Sequence, residues 1–148
     1  MLNISDFLDA SVSTANDITS TPVPVGEYHG VIEKIIPRQW QSKDGTKSGI
    51  AMDIFFLIED HLVKEHLGRD VVTCKMGLML DTTPQGVLDM AKGRNIGLGR
   101  LREAVGKNTP GEAFSFGMLP GLSAKVNVTH RVSDNNEVFA EIKSVSKL

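Results

Sequence analysis

Apolar and polar residues alternate along two stretches in the first half of the chain, and this period of two predicts β-strands. In the stretch 50–58 one face is entirely apolar; it consists of Ile50, Met52, Ile54, Phe56 and Ile58. Phe55 and Leu57 lie on the opposite face, so this strand is predicted to be partly covered on both sides. The stretch 71–80 repeats the alternation, with an inward face of Val72, Cys74, Met76, Leu78 and Leu80. Both stretches therefore predict strands with one face in the core.

Three further strands are predicted, one before these two and two at the end of the chain. The first covers 26–36, where Tyr28, Gly30, Ile32 and Lys34 share a face that is not cleanly apolar. Asp44-Gly45 favours a hairpin turn between this strand and the next. In the stretch 124–132 the predicted inward residues are Ala124, Val126, Val128, His130 and Val132. The last strand follows a turn at SDNN and covers 137–148.

Helical patterns fall between the third and fourth strands. Thr83 followed by Pro84 is a typical helix start, with a hydroxyl N-cap and a proline in the first turn, and predicts a helix up to Gly93. A second helical run covers 96–106, with its apolar residues spaced on one face and Gly106 as the stop.

The resulting order of elements is strand, strand, strand, helix, strand, strand, with short links between the first three strands. This order predicts a mainly β fold: a five-stranded OB-type Greek-key barrel with an enlarged helical insertion between strands 3 and 4. A half-open sheet packed on one helix has the same order of elements, so that alternative stays open.

The N-terminal segment differs from the rest of the chain in composition. Residues 11–24 are rich in Ser, Thr, Asn and Pro and lack periodic apolar positions. Before them, one helical turn capped by Ser5 would carry Ile4, Phe7 and Leu8 as a small apolar patch. We therefore predict an acidic, partly flexible arm over 1–21 and an OB-like β-barrel domain over 22–148.

The net charge of −2 over 148 residues is an average of two unlike parts. Residues 1–33 hold five acids and no Lys or Arg, so residues 34–148 hold 16 bases against 13 acids. The predicted barrel is thus mildly basic, and the acidic leader is expected to lie over a basic groove or to reach a partner protein. One cysteine, no long apolar run and no basic N-terminal signal predict a cytoplasmic chain that does not enter a membrane.

The residue types that bind single-stranded nucleic acid are present near the first predicted turn. Trp40 lies in PRQWQSKDGTK together with Arg38, Lys43 and Lys47, so one ring that can stack on a base is surrounded by cations. Phe55 is a second candidate ring, and the outward cations Lys75, Lys125 and Arg131 are candidate phosphate contacts. Alternatively, Trp40 anchors the loop, Phe55 is covered by another element, and the strand cations are simply solvated.

No pattern in the sequence indicates catalysis, a metal or a cofactor. His61 and His66 are five residues apart, whereas two ligands on one helical face require a spacing of four, and no second cysteine joins Cys74. The glycines at 97, 99 and 106 do not complete a dinucleotide or P-loop motif. The chain is therefore predicted to be non-enzymatic, with no catalytic residues, metal or cofactor.

Four segments carry a resemblance to a known family. They are PVGEYHGVIEKI, KDGTKSGIAMDIFFLIED, LGRLREAVG and GLSAKVNVTHRVSDNNEVFAEIKSV. Over residues 22–147 the chain resembles phage-encoded OB-fold proteins that bind single-stranded DNA. It departs from bacterial single-strand binders in ending with KSVSKL, since those usually end in an acidic tail.

The resemblance implies a non-enzymatic protein of phage DNA replication or recombination, located in the host cell cytoplasm. It implies single-stranded DNA as the partner and contacts with replication or recombination proteins. We further predict a homo-oligomer, with a dimer as the favoured state. The alternative from the residues themselves is a structural or protein-interaction barrel that assembles as an oligomer without nucleic acid.

Overall fold

The computed structural model of the chain describes residues 3–148. Five strands make up most of it: β1 (Gly26–Gln41), β2 (Ser48–Ile58), β3 (Thr73–Met79), β4 (Ser123–Val132) and β5 (Val138–Ser146). Two short α-helices follow β2 and β3, α1 (His61–Leu67) and α2 (Ile96–Ala104), and turns of 3₁₀ helix cover Ile4–Leu8 and Phe116–Met118. The prediction of a mainly β chain is confirmed.

The strands form one antiparallel sheet in the order β3-β2-β1-β4-β5. Strand β1 is long enough to pair with two neighbours, with β4 through residues 26–31 and with β2 through residues 30–41. Backbones of the two edge strands, β3 and β5, approach within 8 Å between Cα atoms without a hydrogen-bonded ladder. The sheet is therefore strongly curved, and it stays open between β3 and β5.

The inner face of the sheet and one side of α2 enclose the core. Ile54, Phe56, Val126 and Val128 are fully buried on β2 and β4, and Leu101 of α2 is equally buried. Each such side chain contributes about 1.5–3 kcal/mol by leaving water, so this packing is what holds α2 against the sheet. The predicted inward position of Cys74 is confirmed, and burial raises the pKa of its thiol to about 11.

A β-bulge in β1 changes the predicted face of its second half. The pairing with β2 shifts between Ile32 and Lys34, so that Ile32 lies opposite Phe56 while Lys34 lies opposite Phe55. Because the extra residue reverses the alternation, Lys34 points to the outer face, and the predicted face shared with Ile32 is wrong.

Strand β1 also continues further than the sequence predicts. It runs through Pro37 to Gln41, so Trp40 lies in the strand, opposite Gly49, and not in the turn. Pro37 is tolerated because β4 pairs only with residues 26–31, which leaves one edge of β1 free of a ladder at this point.

The predicted helix from Thr83 to Gly93 is wrong. The backbone N–H of Gly86 donates to the carbonyl of Thr83 at 2.9 Å, and Thr83 N–H donates to Val87 at 2.7 Å. A bridge between Thr82 and Leu88 closes this tight turn, and Gly86 has φ +81°, a left-handed conformation that ends any helix. Among the described residues, α2 is the one α-helix between β3 and β4, so the helical insertion is smaller than predicted.

Helix α1 was not predicted, although both of its ends have clear signals. The Asp60 carboxylate accepts the N–H of Val63 at 3.0 Å, and Gly68 ends the helix in the left-handed region with φ +65°. No helix among residues 3–148 has both the length and the apolar character needed to cross a bilayer.

The N-terminal segment joins the fold at Val23. Residues 3–21 are all exposed, and residues 1–2 of the predicted arm lie outside the described residues. The predicted helical turn is present as 3₁₀ helix, but its cap is Asn3, whose Oδ1 accepts the N–H of Ser5 at 3.1 Å. Val23 is buried, and its carbonyl lies 2.7 Å from Nε2 of His130 at the rim of the sheet. His130 and Val132, both predicted to point inward, are exposed because the buried face of β4 ends at Val128.

Candidate nucleic-acid interface

The outer face of β1–β2–β3 combines exposed cations with aromatic and apolar side chains. We use this name for alternate residues of the three strands: Lys34, Ile36, Arg38 and Trp40 of β1; Gly49, Ala51, Asp53 and Phe55 of β2; Lys75, Gly77 and Met79 of β3. Successive side chains of a strand point to opposite faces, so these residues lie opposite the core.

One row of this face places an aromatic ring between two lysines. Phe55 pairs with Lys34 on one side and with Lys75 on the other, so the three Cα positions lie in line across the strands. The ammonium of Lys34 lies 5.0 Å from the centroid of the Phe55 ring, within cation–π distance. Both lysines are exposed and Phe55 is half-buried. A ring flanked by cations on an open strand surface is suited to a base and its neighbouring phosphates.

Arg38 and Asp53 form an ion pair near the middle of the same face. Nε of Arg38 lies 3.1 Å and 3.0 Å from the two carboxylate oxygens of Asp53. The Arg38 side chain is 44% exposed, whereas that of Asp53 is 12% exposed. The guanidinium therefore compensates a nearly buried carboxylate, which limits the charge that Arg38 can offer to a phosphate.

Trp40 lies against the backbone of β2 at Gly49. A Cβ atom at Gly49 would come within 2.7 Å of Nε1 of the indole and within 3.0 Å of the ring carbon Cζ2. The indole Nε1 is buried and has no hydrogen-bond partner among residues 3–148. The ring is therefore held by packing on a glycine, with one face covered by the strand.

Gly49→Ala is expected to displace the indole of Trp40, because a methyl group there overlaps the ring. We expect a changed emission maximum of the single tryptophan and a loss of about 1 kcal/mol in the free energy of unfolding. Gly77→Ala is the matched control, since the nearest atom to its Cβ is Oδ1 of Asp53 at 3.9 Å. Emission spectra and urea unfolding of both variants test this; equal spectra for the two would contradict the packing.

The loop between β1 and β2 adds two exposed cations beside Trp40. Lys43 and Lys47 lie in residues 42–47, and the turn between them is shaped by Asp44. Oδ1 of Asp44 accepts the hydroxyls of Ser42 at 2.6 Å and of Thr46 at 2.7 Å. These hydrogen bonds lower the pKa of Asp44 to about 2, so the carboxylate is ionised at neutral pH and accepts both hydroxyls.

Lys125 and Arg131, also candidate phosphate contacts, lie on β4 and not on the outer face of β1–β2–β3. Lys125 is opposite His29, near the start of β1, and its ammonium lies 3.8 Å from Glu27. Arg131 lies 3.4 Å from Glu141 and 5.4 Å from the ring centroid of Phe139. The structure therefore brings Arg38, Trp40, Phe55 and Lys75 to one face beside the loop lysines and leaves these two cations apart.

Lys34, Ile36 and Met79 belong to the outer face of β1–β2–β3 and were not predicted. Ile36 is 45% exposed and Met79 53% exposed, so apolar surface adjoins the cations. Lys34 and Ile36 reach this face because of the bulge, for which the sequence has no clear signal. Met79 could have been found from the alternation of β3, since it is two residues from Gly77 and four from Lys75.

Two searches, one for metal ligands among the described residues and one for similar proteins, add no residues to this description. Residues 3–148 contain no group of three or more His, Cys, Asp or Glu side chains that could hold a metal ion. In comparisons with known proteins, no protein-family model matches the chain and no curated protein matches it.

Proposed function

We propose that this protein binds single-stranded DNA, largely independently of sequence, through the outer face of β1–β2–β3 and the loop at 42–47. The observation that carries the proposal is the row of Lys34, Phe55 and Lys75 across three strands. Binding of this kind needs cations along the backbone path and ring faces for the bases. It needs no chemistry, so the protein acts as a binder and not as an enzyme.

We further propose that the curved sheet is an OB-type Greek-key barrel. The strand order, the approach of β3 to β5 and the position of α2 between β3 and β4 support this. In OB folds, oligonucleotides bind on the face of strands 2 and 3 and on the loop between strands 1 and 2. Lys75, Phe55 and the loop lysines lie on these elements.

The biological setting of the proposal rests on the family resemblance of residues 22–147. A phage-encoded single-strand binder would work in DNA replication or recombination in the host cytoplasm, as a homo-oligomer and beside other replication or recombination proteins. The body of the chain after residue 33 is mildly basic, with 16 bases against 13 acids, which is consistent with modest electrostatic affinity.

A second candidate function is that of a protein-interaction barrel without nucleic acid. The exposed side chains of Ile36 and Met79 favour it, because apolar surface beside a half-buried Phe55 is also what a protein partner would cover. A defined oligomer in light scattering, together with no retention of DNA, would favour this function over the first.

Titration with oligo(dT), followed through the emission of Trp40, tests the proposal. Micromolar or tighter binding is expected at low salt. It should change the emission of Trp40, because this residue lies at the loop end of the binding face. With Lys34, Lys43, Lys47 and Lys75 as phosphate contacts, log K should fall with log salt at a slope of about −3, because each contact on a single strand contributes about −0.7. Unchanged emission with no gel shift at low salt would overturn the proposal.

A further inference from the structure

A concave surface lies beside α2, and none of the residues that line it belongs to the outer face of β1–β2–β3. Its cavity volume is about 390 Å³, and the residues that matter here are Met90, Arg94, Ile96, Arg100, Arg102 and Glu103. Met90 is 72% exposed and Ile96 is 51% exposed. This cleft therefore presents apolar side chains to solvent, bordered by three arginines.

The cleft keeps a positive balance after its internal contacts are counted. Nε of Arg94 lies 3.7 Å from Asp89, and Nε of Arg102 donates to the carbonyl of Lys107 at 2.9 Å. Glu103, the acid of the lining, lies 3.4 Å from the ammonium of Lys147. Arg100 is exposed and forms no ion pair within residues 3–148. Its charge is free to meet an acidic ligand.

The N-terminal arm has the complementary chemistry. Its 3₁₀ turn exposes Ile4, Phe7 and Leu8 by 87%, 65% and 90%. Asp6 and Asp9 lie within and just after the turn, and residues 1–33 contain no Lys or Arg. An exposed apolar cluster flanked by acids matches a cleft with apolar walls and arginines at its rim.

We propose that residues 4–9 of one copy dock in the cleft beside α2 of a second copy. Phe7 and Leu8 cover Met90 and Ile96, and the acids of the turn face Arg94 and Arg100. The cleft is filled by the arm of a second copy, because residues 3–21 are all exposed and therefore do not pack against their own chain. Residues 10–22 can span about 40 Å when extended, which is enough to reach a neighbouring molecule. Reciprocal docking closes a dimer, and none of this depends on nucleic acid.

Disulfide trapping between full-length variants tests which surfaces meet. Leu8→Cys is mixed with Met90→Cys and oxidised, and the product is identified by peptide mass; the native Cys74 is buried and stays out of the reaction. We expect a crosslinked dimer joining positions 8 and 90, at several-fold higher yield than with Val132→Cys, an exposed control on β4. Equal yields with the control would overturn the proposal. A crosslink formed within single chains of the Leu8→Cys/Met90→Cys double variant, in place of one between chains, would overturn it as well.

Charge reversal tests the chemistry of the contact. Arg94→Glu/Arg100→Glu is expected to raise the dimer dissociation constant at least tenfold, as measured by light scattering across a concentration series. Mixing this variant with Asp6→Lys/Asp9→Lys should restore association between the two. Lys92→Glu, an exposed reversal outside the cleft, is the matched control and should associate like the natural chain. A natural chain that stays monomeric at all concentrations, or reversal without rescue, would overturn the proposal.

Discussion

Replacing Phe55 by alanine is expected to weaken binding of oligo(dT) by about 5- to 150-fold, because stacking on one aromatic ring contributes about 1–3 kcal/mol per base. Phe55 is the ring between Lys34 and Lys75, so a base stacked there has its phosphates within reach of both ammonium groups. Fluorescence anisotropy of a labelled oligonucleotide at fixed salt measures the loss.

Two further variants separate the loss of stacking from a loss of folding. Phe55→Leu keeps most of the apolar volume and removes the aromatic face, so it should lose a similar share of affinity with little change in the urea midpoint. Phe139→Ala removes another exposed ring that also lies near an arginine, but on β5. We expect it to bind like the natural chain. If Phe55→Leu binds oligo(dT) as tightly as the natural chain, the outer face of β1–β2–β3 is not a stacking surface.

Strands with a clean alternation could be predicted from the sequence, whereas segments with two competing signals could not. In β2 and β3 the inward positions of Phe56 and Cys74 follow directly from a period of two. Thr83-Pro84 fits both a helix start and a turn, and Gly86, two residues after the proline, favours the turn by its positive φ. The physical reason is local: a left-handed glycine ends the helix before a second hydrogen bond can form.

The side chains of the outer face could be predicted where their position depends on alternation alone, but not where it depends on the register between strands. Phe55 and Lys75 could be placed outward because their strands are regular. Lys34 could not, since the bulge after Ile32 is a property of the pairing between two strands and not of either strand alone. Arg38 lies on the same face of β1 as Trp40, but its ion pair with Asp53 joins residues fifteen positions apart, which no local pattern shows.

Under the proposed function, Arg38 has two roles that conflict, one in stability and one in binding. Its guanidinium is the partner of Asp53, whose side chain is 12% exposed and lies on the proposed binding face. Removing one partner of a buried pair leaves an uncompensated charge, at a cost of about 3–5 kcal/mol when both groups are fully buried. The Arg38 side chain is 44% exposed, so water screens the pair and the cost is smaller.

Arg38→Met is expected to lower the free energy of unfolding by about 1–3 kcal/mol, and Arg38→Met/Asp53→Asn should recover most of that loss, because the double variant no longer leaves a carboxylate without its cation. Urea unfolding of the four chains of this cycle measures the coupling between the two residues. The exposed pair of Lys125 and Glu27, 3.8 Å apart, is the control and should give a coupling below about 1 kcal/mol in the same experiment.

Asp53→Asn alone should tighten oligo(dT) binding several-fold and steepen its salt dependence, since it frees the Arg38 guanidinium and removes an acid from the face. Unchanged or weaker binding by a folded Asp53→Asn chain would mean that the phosphates do not pass over Arg38, and that this arginine serves the stability of β1 and β2 alone.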